Sequence, residues 1–196
     1  HDLKSPMNAI IGFTKVVLKG IDGPINEIQT TDLTSAHGNG LRMLALINNL
    51  IDMARLNNGD LKIELTTGDV FQTLADAANR WKSQNPTKEL QTEININTPI
   101  FAFDPARLRQ IVSGLLTYAA NHVAEGGRVI LRATDDERSI FFEFTSSGEK
   151  ARDKFEMDLA MLGFICRGLI GLHGGSLNIG QDTGNGITLS FSLPRN

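Results

Sequence analysis

The most specific chemistry in the chain sits at its first residues. His1 and Asp2 are adjacent, with Lys4 and Ser5 close behind. A neutral imidazole is a nucleophile near pH 7, because its unperturbed pKa is about 6.5. An adjacent carboxylate, here Asp2, can accept the Nδ1 proton and raise the nucleophilicity of Nε2. The other histidines promise less. His37 and His122 fall on helical segments as surface or packing residues. His173 falls at a helix C-terminus, where positive charge suits the dipole, and reads as a structural residue. No His, Cys, Asp and Glu cluster has convincing metal-ligand spacing. Cys166 is the one cysteine; it excludes an internal disulfide and fits a reducing compartment.

The elements that must hold His1 are helical. Leu3, Met7, Ile10, Thr14 and Val17 recur at steps of three and four, with Ile11 and Leu18 widening the stripe. Pro6 is tolerated in a first turn. The run Lys19-Gly20-Ile21-Asp22-Gly23-Pro24 breaks the pattern. A second helix carries Leu41, Leu44, Ile47, Ile51 and Ala54, and ends near Asn57-Asn58-Gly59 in a left-handed cap. Such a hairpin cannot bury both stripes alone; pairing with a second copy into a four-helix bundle would do so.

Residues 60–196 change character. The sequence predicts strands over 61–65, 90–96, 129–134, 140–145, 176–180 and 187–193, and helices over 70–81, 104–123 and 154–172. Asp104-Pro105 supplies an N-cap and a first-position proline. Gly126-Gly127, Asp135 to Arg138 and Asp182 to Gly186 read as turns. Phe141, Phe142, Phe144 and Trp81 read as core. The expectation is an α+β fold: the hairpin over 1–58, then a two-layer α/β sandwich over 60–196 with a mixed, mainly hairpin-connected sheet.

The run from His1 to Phe13, HDLKSPMNAIIGF, resembles the phosphoacceptor box of histidine kinases. The hairpin after it is similar to their dimerisation and phosphotransfer domain. The resemblance implies that His1 is the phosphoacceptor and Asp2 its partner. It implies that Ser5, where the family usually has Thr or Asn, positions water for dephosphorylation, with Lys4 as a candidate phosphate contact. From about residue 60 onward the chain resembles the family's catalytic ATP-binding domain. Asp104 to Gln110, Glu125 to Gly127, Leu172 to Leu177 and Gly184 to Thr188 match its landmarks.

Those landmarks fix a register in which the nucleotide-binding positions are replaced. Gly114 and Tyr118 stand where the family places two asparagines, the second a Mg²⁺ ligand; that ion requires hard oxygen donors. Ser146 stands where an aspartate holds the adenine, two residues before Gly148. Ala160 and Leu162 stand where glycines let the backbone approach the phosphates, and Asp158 adds negative charge. Only residues 149–157 separate Gly148 from that run, too few for the family's mobile lid. The expectation is no Mg-ATP binding, no cofactor and no metal.

Net charge is −3 across 196 residues, with no basic excess to favour nucleic acid or an anionic membrane. No run is long and apolar enough to span a bilayer, and no signal peptide is visible. The chain reads as a cytoplasmic fragment of a longer protein. The expected function is two-component signalling as a homodimer: His1 passes phosphoryl groups to or from a response-regulator receiver. The alternatives are an inactive scaffold that docks a receiver or an active histidine kinase, and a working kinase with an atypical nucleotide site.

Overall fold

The computed structural model describes residues 2–149, 156–180 and 186–195, the second of these with side chains from Leu159 onward. The chain divides into two compact units, residues 1–55 and 56–196.

The first unit holds helices α1 (Lys4–Leu18) and α2 (from Glu27, ending at Asn57). Gly20 and Gly23 turn the chain between them, both at positive φ. A reciprocal cap starts α2: Asn26 Oδ1 accepts from Gln29 N at 2.8 Å and Asn26 N donates to Gln29 Oε1 at 3.0 Å. The helices approach closely at Gly40, where an added Cβ would lie 3.0 Å from Ile11 Cγ1. Beside it, Thr14 Oγ1 and His37 Nδ1 share a hydrogen bond of 3.1 Å. Gly59, just past α2, has φ of +71°, the expected left-handed cap.

The second unit is a two-layer α/β sandwich. Strands β1 (Thr66–Asp69) and β3 (Ile100–Phe103) form an antiparallel pair. The main sheet is built from β2 (Glu89–Asn95), β4 (Arg128–Asp135), β5 (Ser139–Ser147), β6 (Ser176–Ile179) and β7 (Thr188–Pro194), in the order β2-β4-β5-β7-β6. Its pairs are antiparallel except β2 with β4. Helices α3 (Val70–Gln84), α4 (Pro105–Asn121) and α5 (Glu156–Leu172) make the second layer. Alternation decides the faces. Val129, Leu131, Ile140, Phe142, Phe144, Leu189 and Phe191 are buried, with Phe142 stacked on Phe191 at 4.4 Å. The opposite face carries Arg128–Glu89, Arg132–Glu93 and Arg132–Glu143 ion pairs.

Three local expectations need correction. Residues 61–65 form no strand: Leu61 is buried, but Glu64 N donates to the Asp104 carboxylate instead of a ladder carbonyl. The β1–β3 pair was not anticipated. Phe141 is 43% exposed, on the outer face, while Phe142 and Phe144 are core. Residues 181–185, most of the expected last hairpin turn, lie outside the described residues.

Candidate functional site

His1 lies outside the described residues; the residues that follow it are described. Helix α1 begins at Lys4, with Leu3 as an N-cap that offers no side-chain bond. Asp2 and Ser5 are exposed and Lys4 is half-buried. Pro6 falls in the first turn, where no intrahelical N–H is lost. The residues that follow His1 therefore open a helix whose first turn is largely exposed.

The positions that the sequence resemblance aligns with a nucleotide site form two groups. The first lies where α4 and α5 pack. Gly114 is buried, and an added Cβ would come within 2.9 Å of Cys166 Sγ and 3.8 Å of Leu162 Cδ2. Cys166 is itself buried, with Sγ 3.8 Å from the Ile111 carbonyl, and burial pushes its thiol up to about 12. One turn along, the Tyr118 ring lies near Gly163, where an added Cβ would be 3.6 Å from Cε2. The same ring stacks on His122 at 4.9 Å, and His122 Nδ1 bonds to the Tyr118 carbonyl at 2.8 Å. Leu162 and Cys166 thus meet at Gly114, and Tyr118 and His122 form an aromatic pair one turn further along α4. Ala160, on the same helix, is exposed. Ala160 and Leu162 lie beyond the first turn of α5, so their N–H groups are spent on intrahelical bonds. The side chain of Asp158 is outside those described.

The second group lies at the end of β5. Ser146 is buried, and its Oγ accepts from Ile187 N at 3.1 Å while its own N–H donates to the Ile187 carbonyl at 2.9 Å. Its hydroxyl is therefore part of the β5–β7 seam. Gly148 has φ of +148°, and an added Cβ would lie 3.1 Å from the Gly127 backbone. The positive φ favours glycine here, and the close approach adds to the strain any side chain would meet.

Two anchoring devices were not singled out from the sequence in these roles. Lys88 Nζ donates to the carbonyls of Ala120, Val123 and Ala124, closing the C-terminal end of α4. Burial lowers its pKa from the ordinary 10.5, and the Glu125 charge works the other way. No sequence spacing announces this contact, because Lys88 precedes its partners by more than thirty residues. His173 is buried and links two helices: Nδ1 bonds to Leu169 O at 2.8 Å, and Nε2 accepts from Asp104 N at 3.3 Å. Those bonds suit a neutral ring with its proton on Nδ1. Burial works against the Asp104 charge, but N–H donors from Glu64, Arg107 and Ala106 more than offset it and hold the carboxyl below its ordinary range. Among the described residues, no group of three or more His, Cys, Asp or Glu could hold a metal ion, and no helix is long and apolar enough to cross a membrane.

Residues 1–59 match the His Kinase A (phospho-acceptor) domain family. The whole chain is similar to the circadian input-output histidine kinase CikA of Synechococcus elongatus, 26% identical over 216 residues, covering 99% of this chain and 29% of that protein. The chain thus spans under a third of that relative's length. Among solved structures, full-length ShkA in complex with AMPPNP has a TM-score of 0.73 at 22% identity, covering 100% of this chain and 44% of that one. Histidine kinase ThkA in complex with the response regulator TrrA has a TM-score of 0.64 at 14% identity, covering 100% and 61%. These likenesses show the fold: a phosphoacceptor hairpin followed by an α/β sandwich of the histidine kinase type.

Proposed function

Starting from a histidine kinase core, we propose that this chain works in two-component signalling through His1 and without Mg-ATP of its own. The observation that carries the reading is the α4–α5 contact. Gly114 is closed over by Cys166 and Leu162, and the Tyr118 ring lies against Gly163. The residues present do not fit Mg-ATP. Tyr118 and Gly114 offer no carboxylate or amide oxygen to the ion. Ser146 spends its hydroxyl on Ile187. The N–H groups of Ala160 and Leu162 are inside a helix.

The proposed reaction is exchange with a receiver domain. His1 Nε2 attacks the phosphorus of a receiver acyl phosphate, with Asp2 accepting the Nδ1 proton. The P–N bond forms, the P–O bond breaks, and the receiver carboxylate leaves. The reverse step returns the phosphoryl group. Ser5 is proposed to orient water for hydrolysis of the receiver phosphate, and Lys4 to contact the phosphoryl oxygens. The active unit is proposed to be a homodimer. Met7, Ile11 and Thr14 face α2, while Leu3 just before α1, Ile10 and Phe13 on it, and Ile28, Leu41, Met43 and Leu50 on α2 stay exposed. Helix α1 buries no residue at all in the single chain. A second copy would cover that surface.

Calorimetry of Mg-ATP and ADP against the chain tests the nucleotide half: no heat at millimolar nucleotide is expected, and tight metal-dependent binding would overturn it. Incubation with a phosphorylated receiver tests the other half. Label should appear on the chain and vanish in His1→Ala. Transfer that persists in His1→Ala would exclude His1, and a chain that binds receiver without label would point to a docking role.

A further inference from the structure

We infer that the groove between α3 and α4 binds a small oxyanion, a phosphate or phosphate ester, between Arg80 and Arg109. The two helices pack together, with Trp81 Nε1 donating to Thr117 Oγ1 at 3.2 Å. Towards the start of α4 the facing side chains are Ala77 and Ala106, too short to fill the gap. They leave a cavity of about 250 Å³, lined otherwise by Arg80, Arg109, Gln110 and Ser113. Ala106, Arg109, Gln110 and Ser113 recur at steps of three and four, one stripe along α4. That stripe is turned by about a quarter of the helix circumference from Gly114 and Tyr118, so the groove is separate from the former nucleotide side.

Charge selects the ligand. Arg128, Arg132 and Arg195 each hold a carboxylate. Among the described residues, no carboxylate ion pair is found for Arg80 or Arg109. The nearest acid on α3 by sequence, Asp76, one turn before Arg80, accepts instead from Gln72 Nε2 at 3.5 Å. The Gln110 carbonyl oxygen accepts from Arg107 Nη1 at 2.8 Å, so it is not directed at a ligand alone. Two guanidinium groups lining one small concavity repel each other, in a chain whose acids outnumber its bases, 22 to 19. A dianion between them removes that repulsion. It also meets the geometry that guanidinium forks match best, paired oxygens on one centre, with the Ser113 hydroxyl as a further donor. The volume admits a phosphate with a small organic group and is below the usual size of a site that encloses a drug-sized ligand.

The test is a titration of the full chain followed by NMR of backbone amides and arginine Nε–H groups. Inorganic phosphate and glycerol 3-phosphate are compared with chloride at matched ionic strength. Saturable shifts are expected at Arg80, Arg109 and Ser113 with either phosphate compound and not with chloride. Equal affinities identify free phosphate as sufficient; tighter binding of the ester identifies a phosphorylated small molecule. Arg80→Gln/Arg109→Gln should weaken binding by about tenfold or more, with an unchanged melting temperature. Shifts no larger than those in chloride, or wild-type affinity in the double variant, would overturn the site. Neither outcome bears on His1 or on Mg-ATP.

Discussion

At Gly114 the α4–α5 contact accepts a hydrogen and nothing larger, since even a methyl carbon would press on Cys166 Sγ at 2.9 Å. Gly114→Asn should therefore destabilise the second unit by about 1–3 kcal/mol, the usual cost of overpacking. Urea unfolding would read this, and Cys166→Ala should recover part of the loss, because the two positions share one space. Asp104 offers a second test. Its folded carboxyl lies below the ordinary 3.8. Its contribution is present above that value and is lost as pH falls through the lower folded one. Between pH 5 and 3 the wild type should lose more stability than Asp104→Asn, measured by urea midpoint. At this scale the sequence was partly legible. Asp104-Pro105 announced its cap, and the cap is there: Ala106 N and Arg107 N both donate to Asp104 Oδ1 at 3.0 Å. His173 read as structural and is so, a buried ring joining Leu169 to Asp104, but that pairing is a contact only tertiary packing creates.

At the scale of elements, the hairpin makes its own prediction. Ile10 and Phe13 are exposed beside the face that meets α2, so charged substitutions there should leave the helices intact and break self-association. Ile10→Glu/Phe13→Glu should raise the dimer dissociation constant by about a hundredfold, as loss of central apolar anchors does, with unchanged helical circular dichroism; sedimentation reads the outcome. The end of α4 gives another. Lys88→Met removes the donor from three carbonyls and should cost about 1–3 kcal/mol, visible as a lower melting temperature. Helix positions were legible because 3.6-residue periodicity is a local signal. The start of α2 could have been read as well, since Asn26 and Gln29 stand at capping-box spacing. Residues 61–65 misled because Leu61 is buried without strand partners, its neighbour Glu64 being held by a carboxylate. Strand β3 was missed because its pairing with β1 spans more than thirty residues of chain.

For the whole molecule, the fold class was legible and the function only in outline. The box at residues 1–13 and the landmarks of the second unit are contiguous motifs, readable without coordinates. What Gly114, Tyr118 and Leu162 do together was not, because residues forty-odd positions apart meet only when α5 lies on α4. The order of the sheet has a further consequence. Strand β7 comes last in the element order yet lies inside the sheet, between β5 and β6. During synthesis on a ribosome, β5 must wait with one side unpaired, its Ile140, Phe142 and Phe144 uncovered by β7, until residues 188–194 have emerged. The nascent chain therefore carries an open, largely aromatic edge from the completion of β5 at Ser147 until β7 begins at Thr188, a template for the wrong strand. Production of this unit should depend more on chaperone supply and elongation rate than its finished stability would suggest.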